Sequence, residues 1–544
     1  MIKKVNNVLK DNRKFLPLLL IFAIIIRVWI VQRYYFLGSD DAGYLGLAIN
    51  LLETGKFSAN DGSWPIYPPL YPMFSAAIYY LFGFIIDLPS KLNFVIFSGL
   101  LIVPIFLITL RLYNRKEAII ASVLTAIFPT LLLSQQGIWA AAEHMEIFFV
   151  WIGIYFLWSG LSLTQINQNS YVKELGFSSI FFALAYLAKP EGLLFWIVGI
   201  FFLLLIAIIN SKRHCLGIFK NLLFMTFSFL LIVLPYWIIQ YNNTGYFSIS
   251  GKGLTAVAYG FIINQGGDIE RAIYDGSRKI LEAEIDSIGI FNYIINNKFL
   301  FIKHMVKNAE REFSLLFSMG VFPFYFLPFI GIGLFSNRWD KERLIKELFL
   351  LSLFIPMIVN MPFWIGERHL LVFIPIFIIW LSNSIPKIWD WLELSIRNLI
   401  KKKLIKITCL IIVGVMFFVP FFRYYLITTK PYAIKNVASW MNNNVSEGEG
   451  VYSIKGHYLD LYTLYKYKVG TLEYDLSLNE LYAQAIKDGY KWLLIEDMLT
   501  FRHHPKLEKI FNSTILPDWL ELKYDTTEGG HKAKLYRIIY IEGK

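Results

Sequence analysis

Long apolar runs that recur along most of this chain limit its possible folds more than any other feature. Each run has about 20 residues, enough for one α-helix to cross the roughly 30 Å hydrocarbon core of a bilayer. Hydrophobic residues make up 56% of the 544-residue chain and charged residues only 17%, against about a quarter in soluble domains. The sequence therefore predicts a polytopic α-helical membrane protein. The eleven predicted spans lie at 16–36, 92–110, 117–134, 145–163, 175–188, 192–210, 219–239, 314–335, 346–364, 370–385 and 405–422.

The positions of lysine and arginine predict how these spans are threaded through the membrane. The apolar run at 68–86 is ambiguous, but when it is placed at the outer interface, most basic residues of the short loops fall on one side. Cytoplasmic loops are enriched in such residues, so we expect a multi-pass plasma-membrane protein with a cytoplasmic N-terminus and an extracytoplasmic C-terminus. The same signals explain the net charge of +12 without a nucleic-acid partner. The basic segment 387–403 is expected to form an amphipathic helix on the inner surface.

The composition changes near residue 426, where charged and polar residues become more frequent. We predict a transmembrane domain over 1–425 and an extracytoplasmic soluble α/β domain over 426–544. In the first domain, outer loop 37–91 should contain an interfacial helix over 41–54, whereas outer loop 241–313 has glycine-rich turns and no recognisable chemistry. The two cysteines, Cys215 and Cys409, are too few and too distant to indicate a disulfide framework or a metal motif. In the second domain we predict strands at 450–454, 492–495 and 535–541, and helices at 433–441 and 478–488.

Charged residues at the ends of several predicted spans fall on the same outer side of the membrane. Charge close to lipid is costly, so its presence indicates a function. Because these residues come from distant parts of the sequence, we interpret them as one shared site. They are Asp40 and Asp41 after the first span, Glu143 at the start of the fourth, Lys189 between the fifth and sixth, and Arg368 and His369 between the ninth and tenth.

A glycosyl transfer from a lipid phosphate would need this combination of charges. A positioned carboxylate can take the proton from the attacking hydroxyl as a general base, which typically contributes about 10²–10⁴ in rate. Fixed lysine and arginine side chains can hold the departing phosphate, and apolar helices can form a groove for the lipid tail. No cofactor is certain, and metal dependence is open, because carboxylates could hold a divalent cation although no ligand spacing requires one.

Several of these residues also have simpler interpretations. Asp40 could cap the interfacial helix, and Asp41 could compensate the helix dipole in its first turn. Arg27 lies near the middle of a span, where it could snorkel to the interface or pair with Glu143 or a lipid phosphate. The segment 67–72 could serve only as a rigid helix start, since proline fits the first turn of a helix.

The first outer loop resembles that of the GT-C glycosyltransferases, and more narrowly of the protein O-mannosyltransferase and aminoarabinose lipid A transferase group. The similarity consists of the acidic pair, the interfacial helix after it, and Pro68-Pro69-Leu70-Tyr71. The pair is Asp-Asp where that group usually has Asp-Glu, and Tyr67 precedes the prolines where the lipid A enzymes have lysine. With the charges above, the resemblance implies catalytic roles for Asp40, Asp41 and Glu143, donor-phosphate binding by Lys189, Arg368 and Arg27, and substrate binding by Tyr67, Tyr71 and His369.

The reaction that the resemblance implies is inverting transfer of a hexosyl or pentosyl group from a polyprenyl or dolichyl phosphate. The acceptor would be a hydroxyl of a protein, lipid or glycan on the outer membrane face. One alternative is a transporter or flippase for a lipid-linked or small anionic substrate, although transporter sites tend to lie near the bilayer midplane between repeats. A second alternative is a non-catalytic assembly protein with a degenerate enzyme fold.

Overall fold

The computed structural model shows a bundle of helices followed by a small mixed β-sheet. Between 404 and 419 only residues 404, 407–408, 411, 414–416 and 419 are described. The continuous description covers residues 14–33, 37, 39–59, 65–133, 142–164, 172–209, 215–245, 247, 249–267, 277–336, 338–363, 365–395, 432–453, 456–471, 476–497, 504–513, 515–528 and 530–541.

Helices form most of the structure as far as residue 395. The first half contains α1 Phe15–Arg33, α2 Ser39–Thr54, α3 Leu70–Phe82, α4 Leu88–Asn93, a π-helix Phe94–Ser98, α5 Ile102–Leu112, α6 Arg115–Ile127, α7 Pro129–Leu133, α8 Glu143–Thr164, α9 Val172–Ala188 and α10 Gly192–Ile209. The second half contains α11 Cys215–Thr244, α12 Gly253–Asn264, α13 Ser277–Ile288, α14 Ile290–Asn296, α15 Lys298–Leu316, a 3₁₀-helix Phe324–Phe326, α16 Leu327–Phe335, α17 Lys341–Ser352, α18 Ile355–Asn360, a 3₁₀-helix Glu367–Phe373 and α19 Ile374–Ser395.

Five helical segments of the described chain are long and apolar enough to cross a membrane. Together with the fold, they confirm the predicted helical membrane protein, whereas the number and direction of the spans stay predictions. Most of the predicted span at 405–422 lies outside the described residues. The five segments are Phe15–Gln32, Leu88–Leu112, Glu143–Leu161, Gly217–Thr244 and Glu367–Leu394.

Two predicted spans are broken rather than continuous. The span predicted at 314–335 is divided because α15 ends at Leu316 and α16 begins at Leu327. The span predicted at 346–364 is divided between α17 and α18. Both α16 and α18 have proline in the first turn, where its missing N–H costs nothing, whereas it would interrupt a helix interior.

The inner surface helix predicted at 387–403 is also corrected. Helix α19 runs without a break from Ile374 to Ser395, so the first part of that segment extends the tenth predicted span. The remainder, 396–403, lies outside the described residues. The ambiguous run at 68–86 forms the 13-residue helix α3, which at about 1.5 Å per residue is too short to cross the hydrocarbon core.

Close helix packing holds the end of the bundle that carries the site. A Cβ atom on Gly153 of α8 would lie 2.7 Å from the Phe182 ring of α9, so glycine is needed for the two helices to approach. Trp151, also on α8, is fully buried and donates its indole N–H to the Val372 carbonyl at 3.0 Å. That bond fixes the 3₁₀-helix that carries Arg368 against the bundle.

The C-terminal part forms a five-stranded sheet with helices, as the sequence predicts. The strands are β1 Gly450–Tyr452, β2 Lys468–Gly470, β3 Tyr490–Glu496, β4 Leu520–Glu528 and β5 His531–Ile538, in the order β2-β1-β3-β5-β4. The first three run parallel, and β5 pairs antiparallel with both β3 and β4. Strands β2 and β4 were missed in the sequence, and the proposed boundary at 426 lies outside the described residues. The helices are α20 Tyr432–Asn444, α21 Gly456–Tyr462, α22 Leu478–Asp488 and α23 Pro505–Asn512.

Helix α2 lies between the sheet and the bundle. On one side Leu45 and Ala48 share an apolar cluster with Val437, Leu459 and Leu535 of the C-terminal part. On the other side, the cluster consists of Tyr44 of α2 with Tyr71, Ala142, Met145 and Ala188. Since the first turn of α2 carries the acidic residues Asp40 and Asp41, both parts of the protein position them.

Candidate active site

The acidic pair lies in the first turn of α2. The helix begins at Ser39, two residues before the predicted start, so Asp40 is a first-turn residue rather than the predicted cap. Negative charge is favourable at a helix N-terminus because the backbone N–H groups there have no helical partner. This local effect applies equally to Asp40 and Asp41, but the two carboxylates contact different side chains.

Asp40 is held by two cations from distant parts of the chain. Its Oδ1 atom lies 2.8 Å from Nζ of Lys252, and its Oδ2 atom accepts a hydrogen bond from the guanidinium of Arg368. The Tyr67 hydroxyl donates to Oδ1 at 3.1 Å. The carboxylate is therefore ionised and directed between two positive groups, with 20% of its side chain exposed.

The pKa of Asp40 reflects these contacts. Burial alone would raise the pKa of this carboxyl, but the charges of Lys252 and Arg368 and their hydrogen bonds outweigh burial and hold it well below its usual range. Burial and the neighbouring Asp40 charge raise the pKa of Tyr67 well above its ordinary value. Tyr67 is thus a neutral hydrogen-bond donor to Asp40.

Arg368 extends this pair into a chain of alternating charges. Its Nε atom lies 3.5 Å from Oε1 of Glu143, and the same oxygen lies 3.2 Å from Nζ of Lys189. Lys189 also lies 3.2 Å from a carboxylate oxygen of Glu191. Burial alone would lower the pKa of Lys189, but the charges of these two glutamates outweigh burial and raise it. The ammonium therefore stays protonated. The structure therefore brings together four residues predicted from sequence: Asp40, Glu143, Lys189 and Arg368.

Asp41 belongs to a separate polar cluster. Its Oδ1 atom accepts hydrogen bonds from the Tyr71 hydroxyl at 3.1 Å and from the Ser90 hydroxyl at 3.0 Å, and these two hydroxyls lie 2.9 Å apart. Asp41 is 1% exposed and Tyr71 is fully buried. The arrangement connects α2 with α3 and α4, so the described contacts of Asp41 and Tyr71 position the helix.

Aromatic packing fixes the other side of Asp40. Nζ of Lys252 lies 4.1 Å from the centre of the Tyr67 ring, a cation–π distance. The Tyr44 and Tyr67 ring centres are 4.2 Å apart. A Cβ on Gly43 would lie 2.5 Å from a Tyr67 ring carbon, so only glycine allows this approach. Gly43 therefore allows Tyr67, later in the same outer loop, to pack against the first turns of α2.

Arg27 and His369 are not part of the charged chain. Arg27 is fully buried, and it donates to the Ser98 hydroxyl at 2.5 Å and to the carbonyls of Ala23 and Ala126 at 3.1 and 3.4 Å. The predicted pair with Glu143 is therefore not formed. His369 accepts the Gly366 backbone N–H at Nδ1, 3.1 Å away, and so closes the turn that carries Arg368.

Lys252 is the residue that the sequence interpretation missed. It lies in the loop to which we assigned no chemistry, between Gly251 and Gly253. A Cβ on Gly251 would lie 2.6 Å from the Ile66 backbone, which shows how closely this turn packs against the segment before Tyr67. A single lysine between two glycines was the available signal, because such a turn can place a cation against another backbone.

The acidic residues do not form an evident metal site. Within the described ranges, no group of three or more histidine, cysteine, aspartate or glutamate side chains is placed to hold a metal ion. The oxygens of Asp40 already accept from Lys252 and Arg368, whereas Asp41 accepts from the hydroxyls of Tyr71 and Ser90. These two carboxylates therefore do not fit a shared divalent cation as they stand.

The helix arrangement defines the fold of the chain. The chain has the GT-C fold of membrane glycosyltransferases, as the resemblance of the first outer loop predicts. No protein-family model matches the sequence, and no curated protein matches it either.

Solved structures of two proteins show this similarity in fold. The archaeal oligosaccharyltransferase AglB from Archaeoglobus fulgidus, in complex with an inhibitory peptide and a dolichol-phosphate, superposes with a TM-score of 0.58 at 15% identity, covering 89% of this chain and 69% of AglB. A second structure of that oligosaccharyltransferase, with Zn and sulfate, gives 0.59 at 15% identity, covering 88% and 67%. ArnT from Cupriavidus metallidurans bound to undecaprenyl phosphate gives 0.57 at 11% identity, covering 96% of this chain and 97% of ArnT.

Proposed function

We propose that this protein transfers a glycosyl group from a polyprenyl- or dolichyl-phosphate donor to an acceptor hydroxyl, with inversion at the anomeric carbon. The observation that carries the proposal is the Asp40 carboxylate, held between the cations Lys252 and Arg368. A base beside two phosphate-binding groups is what this reaction requires. The structural neighbours are described with dolichol-phosphate and undecaprenyl phosphate, which supports the same donor class here.

Asp40 is assigned as the general base. The acceptor oxygen attacks the anomeric carbon while its proton passes to the Asp40 carboxylate. The bond between the anomeric carbon and the phosphate oxygen breaks, and its electron pair stays on the phosphate. Lys252 and Arg368 would stabilise that charge, and Lys189 would add a third cation through the shared contact with Glu143.

Donor binding would also make Asp40 a stronger base. Without donor, Lys252 and Arg368 pair with Asp40 and hold the pKa of its carboxyl well below its usual range, although burial acts in the opposite direction. A donor phosphate competes for the same cations, so the pKa of Asp40 rises toward its ordinary value when they turn to the phosphate. The base would then be strengthened only when substrate is present.

The other residues of the site have supporting roles in this proposal. Glu143 orients Arg368 and Lys189, which it contacts with a single carboxylate oxygen. Tyr67 places its hydroxyl on Asp40, and Asp41 holds the helix through Tyr71. We place the site on the extracytoplasmic side because the basic loops predict the opposite ends of the helices in the cytoplasm. The lipid tail would lie between apolar helices, and the acceptor would be a hydroxyl of a protein, lipid or glycan.

The test is a donor assay with purified protein in lipid nanodiscs. A panel of polyprenyl-phosphate sugars is incubated with the protein, and release of sugar or of lipid phosphate is measured. The Asp40→Asn variant is expected to bind donor and to lose turnover by at least about 100-fold, the lower end of a general base contribution. Full turnover by that variant would remove Asp40 from the reaction.

A matched control is Asp87→Asn. Asp87 is paired with Lys91 at 2.5 Å and has 22% of its side chain exposed, close to the 20% of Asp40, but it lies outside the charged chain. It should keep the turnover of the unchanged protein. Movement of a labelled lipid phosphate across vesicle membranes without any hydrolysis or transfer would instead favour the transporter alternative.

A further inference from the structure

Helix α15 buries polar side chains and exposes several apolar ones, whereas a helix that faces water usually does the reverse. Its buried face carries His304, Asn308 and Glu312, one turn apart. The opposite face carries Ile302 and Phe313, which are 58% and 60% exposed, with Phe299 and Val306 beside them. Residues at spacings of three, four and seven share a helix face, so Phe299, Ile302 and Val306 form an apolar stripe, which the exposed Glu310 separates from Phe313.

Hydrogen bonds keep this stripe facing outward. The Asn308 amide donates to the carbonyls of Met361 and Phe363 at 2.6 and 3.1 Å. Asn308 also accepts from Asn264, at the end of α12, at 3.0 Å. Because these bonds would be lost if α15 turned over, the exposed apolar stripe is a fixed property of the fold.

A cavity with two lysines lies beside the stripe. The cavity has a volume of about 370 Å³ between α12 and α15, and Phe261, Gln265, Leu300, Lys303, His304 and Lys307 are among its lining residues. Lys307 donates to the Asn264 carbonyl at 2.6 Å, and Lys303 has no ion pair within the described chain. Since Lys303 follows Ile302 and Lys307 follows Val306, the cations border the apolar stripe along its length.

We propose that this cavity binds the headgroup phosphate of an anionic phospholipid, with an acyl chain against the stripe of Phe299, Ile302 and Val306. A cation beside a continuous apolar surface matches the two chemistries of such a lipid, and lysines near a membrane surface attract anionic headgroups. The cavity lies within loop 241–313, which the distribution of basic residues predicts at the outer membrane face. The proposal is independent of the transfer reaction.

Photocrosslinking in vesicles tests both parts of the proposal. The photoreactive amino acid benzoylphenylalanine replaces Ile302, and the purified protein is placed in phosphatidylcholine vesicles with about one quarter phosphatidylglycerol. Lipid adducts are expected by mass spectrometry, with phosphatidylglycerol enriched several-fold over its bulk share. Absence of lipid adducts, or adducts at the bulk ratio, would overturn the proposal.

Four matched variants identify the source of the enrichment. The pair Lys303→Gln and Lys307→Gln should keep lipid adducts at position 302 but lose the enrichment, whereas arginine at both positions should retain it. Lys466→Gln with Lys491→Gln in the C-terminal part removes the same charge elsewhere and should change nothing. Benzoylphenylalanine in place of Ile515, which is 84% exposed on the C-terminal part, should give no lipid adducts.

An acidic peptide is the competing occupant of the cavity. Soluble polyglutamate is therefore added to the vesicles at increasing concentration. Enrichment of phosphatidylglycerol that persists supports a lipid headgroup in the cavity. Loss of the enrichment at low peptide concentration would assign the cavity to an acidic polypeptide and contradict the lipid proposal.

Discussion

Arg368 joins the two acidic residues of the site through different nitrogens of one guanidinium. Its terminal nitrogen donates to Asp40, and its Nε atom lies 3.5 Å from Glu143. Asp40 and Glu143 are separated by about a hundred residues in sequence and lie on different helices. A planar group with several N–H donors can connect them, whereas the single ammonium of lysine cannot take both positions.

The first prediction concerns this double contact. Arg368→Lys should retain the positive charge but lose one of the two contacts. Hydrogen bonds to charged groups contribute about 1.5–3 kcal/mol, so kcat/KM for a lipid-phosphate sugar should fall by about 10- to 100-fold. Steady-state kinetics in nanodiscs measure the change. A lysine variant with unchanged kcat/KM would show that the bridge to Glu143 has no role.

The sequence located the charged ends of the helices but not every member of the site. Glu143, Lys189 and Arg368 could be found because each interrupts or ends an apolar run, where charge is costly. Lys252 lies in a polar loop, where a lysine is ordinary, and only the packing of Gly251 on Ile66 brings it to Asp40. Long-range contacts of this kind leave no periodic pattern in a sequence.

The fold class could be predicted from the sequence, whereas the helix breaks and two of the strands could not. Hydropathy averages over a window, so the breaks before Leu327 and Ile355 disappear within two apolar runs. In the C-terminal part, β1, β3 and β5 carry buried apolar residues and were recognised. Strand β4 alternates exposed charged residues with half-buried ones, and β2 has three residues, so neither gives an apolar run.

The second prediction is a shift in the pH profile of Lys252→Gln. Burial tends to raise the pKa of Asp40, and Lys252 is the first of the two cations that lower it. Removing the Lys252 charge should therefore raise that pKa. If Asp40 must be ionised to accept a proton, the acid limb of the kcat/KM profile moves to higher pH. The control is Lys279→Gln, an exposed lysine of the same loop, whose profile should coincide with that of the unchanged protein.

The third prediction concerns Asp460 in the C-terminal part. Burial raises the pKa of this carboxyl to about 7. In the unfolded chain the group ionises near 3.9, so between these values the unfolded state loses its proton first. Stability should therefore fall as pH rises from about 4 to about 7, and the loss should persist above pH 7.

Asp460→Asn removes this titration. The variant should be more stable than the unchanged protein at pH 8, by about 2 kcal/mol after allowance for partial exposure, and the two should converge near pH 4. Thermal unfolding of the C-terminal part within the full chain, at pH 4, 6 and 8, measures the difference. A stability difference that does not vary with pH would contradict a raised pKa at this site.

The fourth prediction tests whether the C-terminal part positions the acidic helix. Tyr465 lies directly over Gly46 of α2, where a Cβ atom would be 2.1 Å from its hydroxyl oxygen and 3.2 Å from the ring carbon that carries the hydroxyl. Leu464 and Tyr465 both have left-handed backbone angles, with φ of 51° and 59°, so this turn is held in a conformation that costs energy. We expect this turn to keep the Tyr465 ring against α2, so that an added methyl group on Gly46 displaces the helix.

Gly46→Ala should destabilise the protein by about 1–3 kcal/mol, a usual cost of overpacking, and should lower kcat by displacing Asp40. Adding Tyr465→Phe removes the oxygen that collides and should restore most of both properties, although Tyr465→Phe alone should bring no gain. Tyr465→Phe would then be beneficial only in the presence of Gly46→Ala, which would show that the loss comes from this contact and not from a nonspecific effect of the substitution. If the double variant is as impaired as Gly46→Ala, the hydroxyl of Tyr465 is not what fixes α2, and the position of Asp40 depends on the bundle alone.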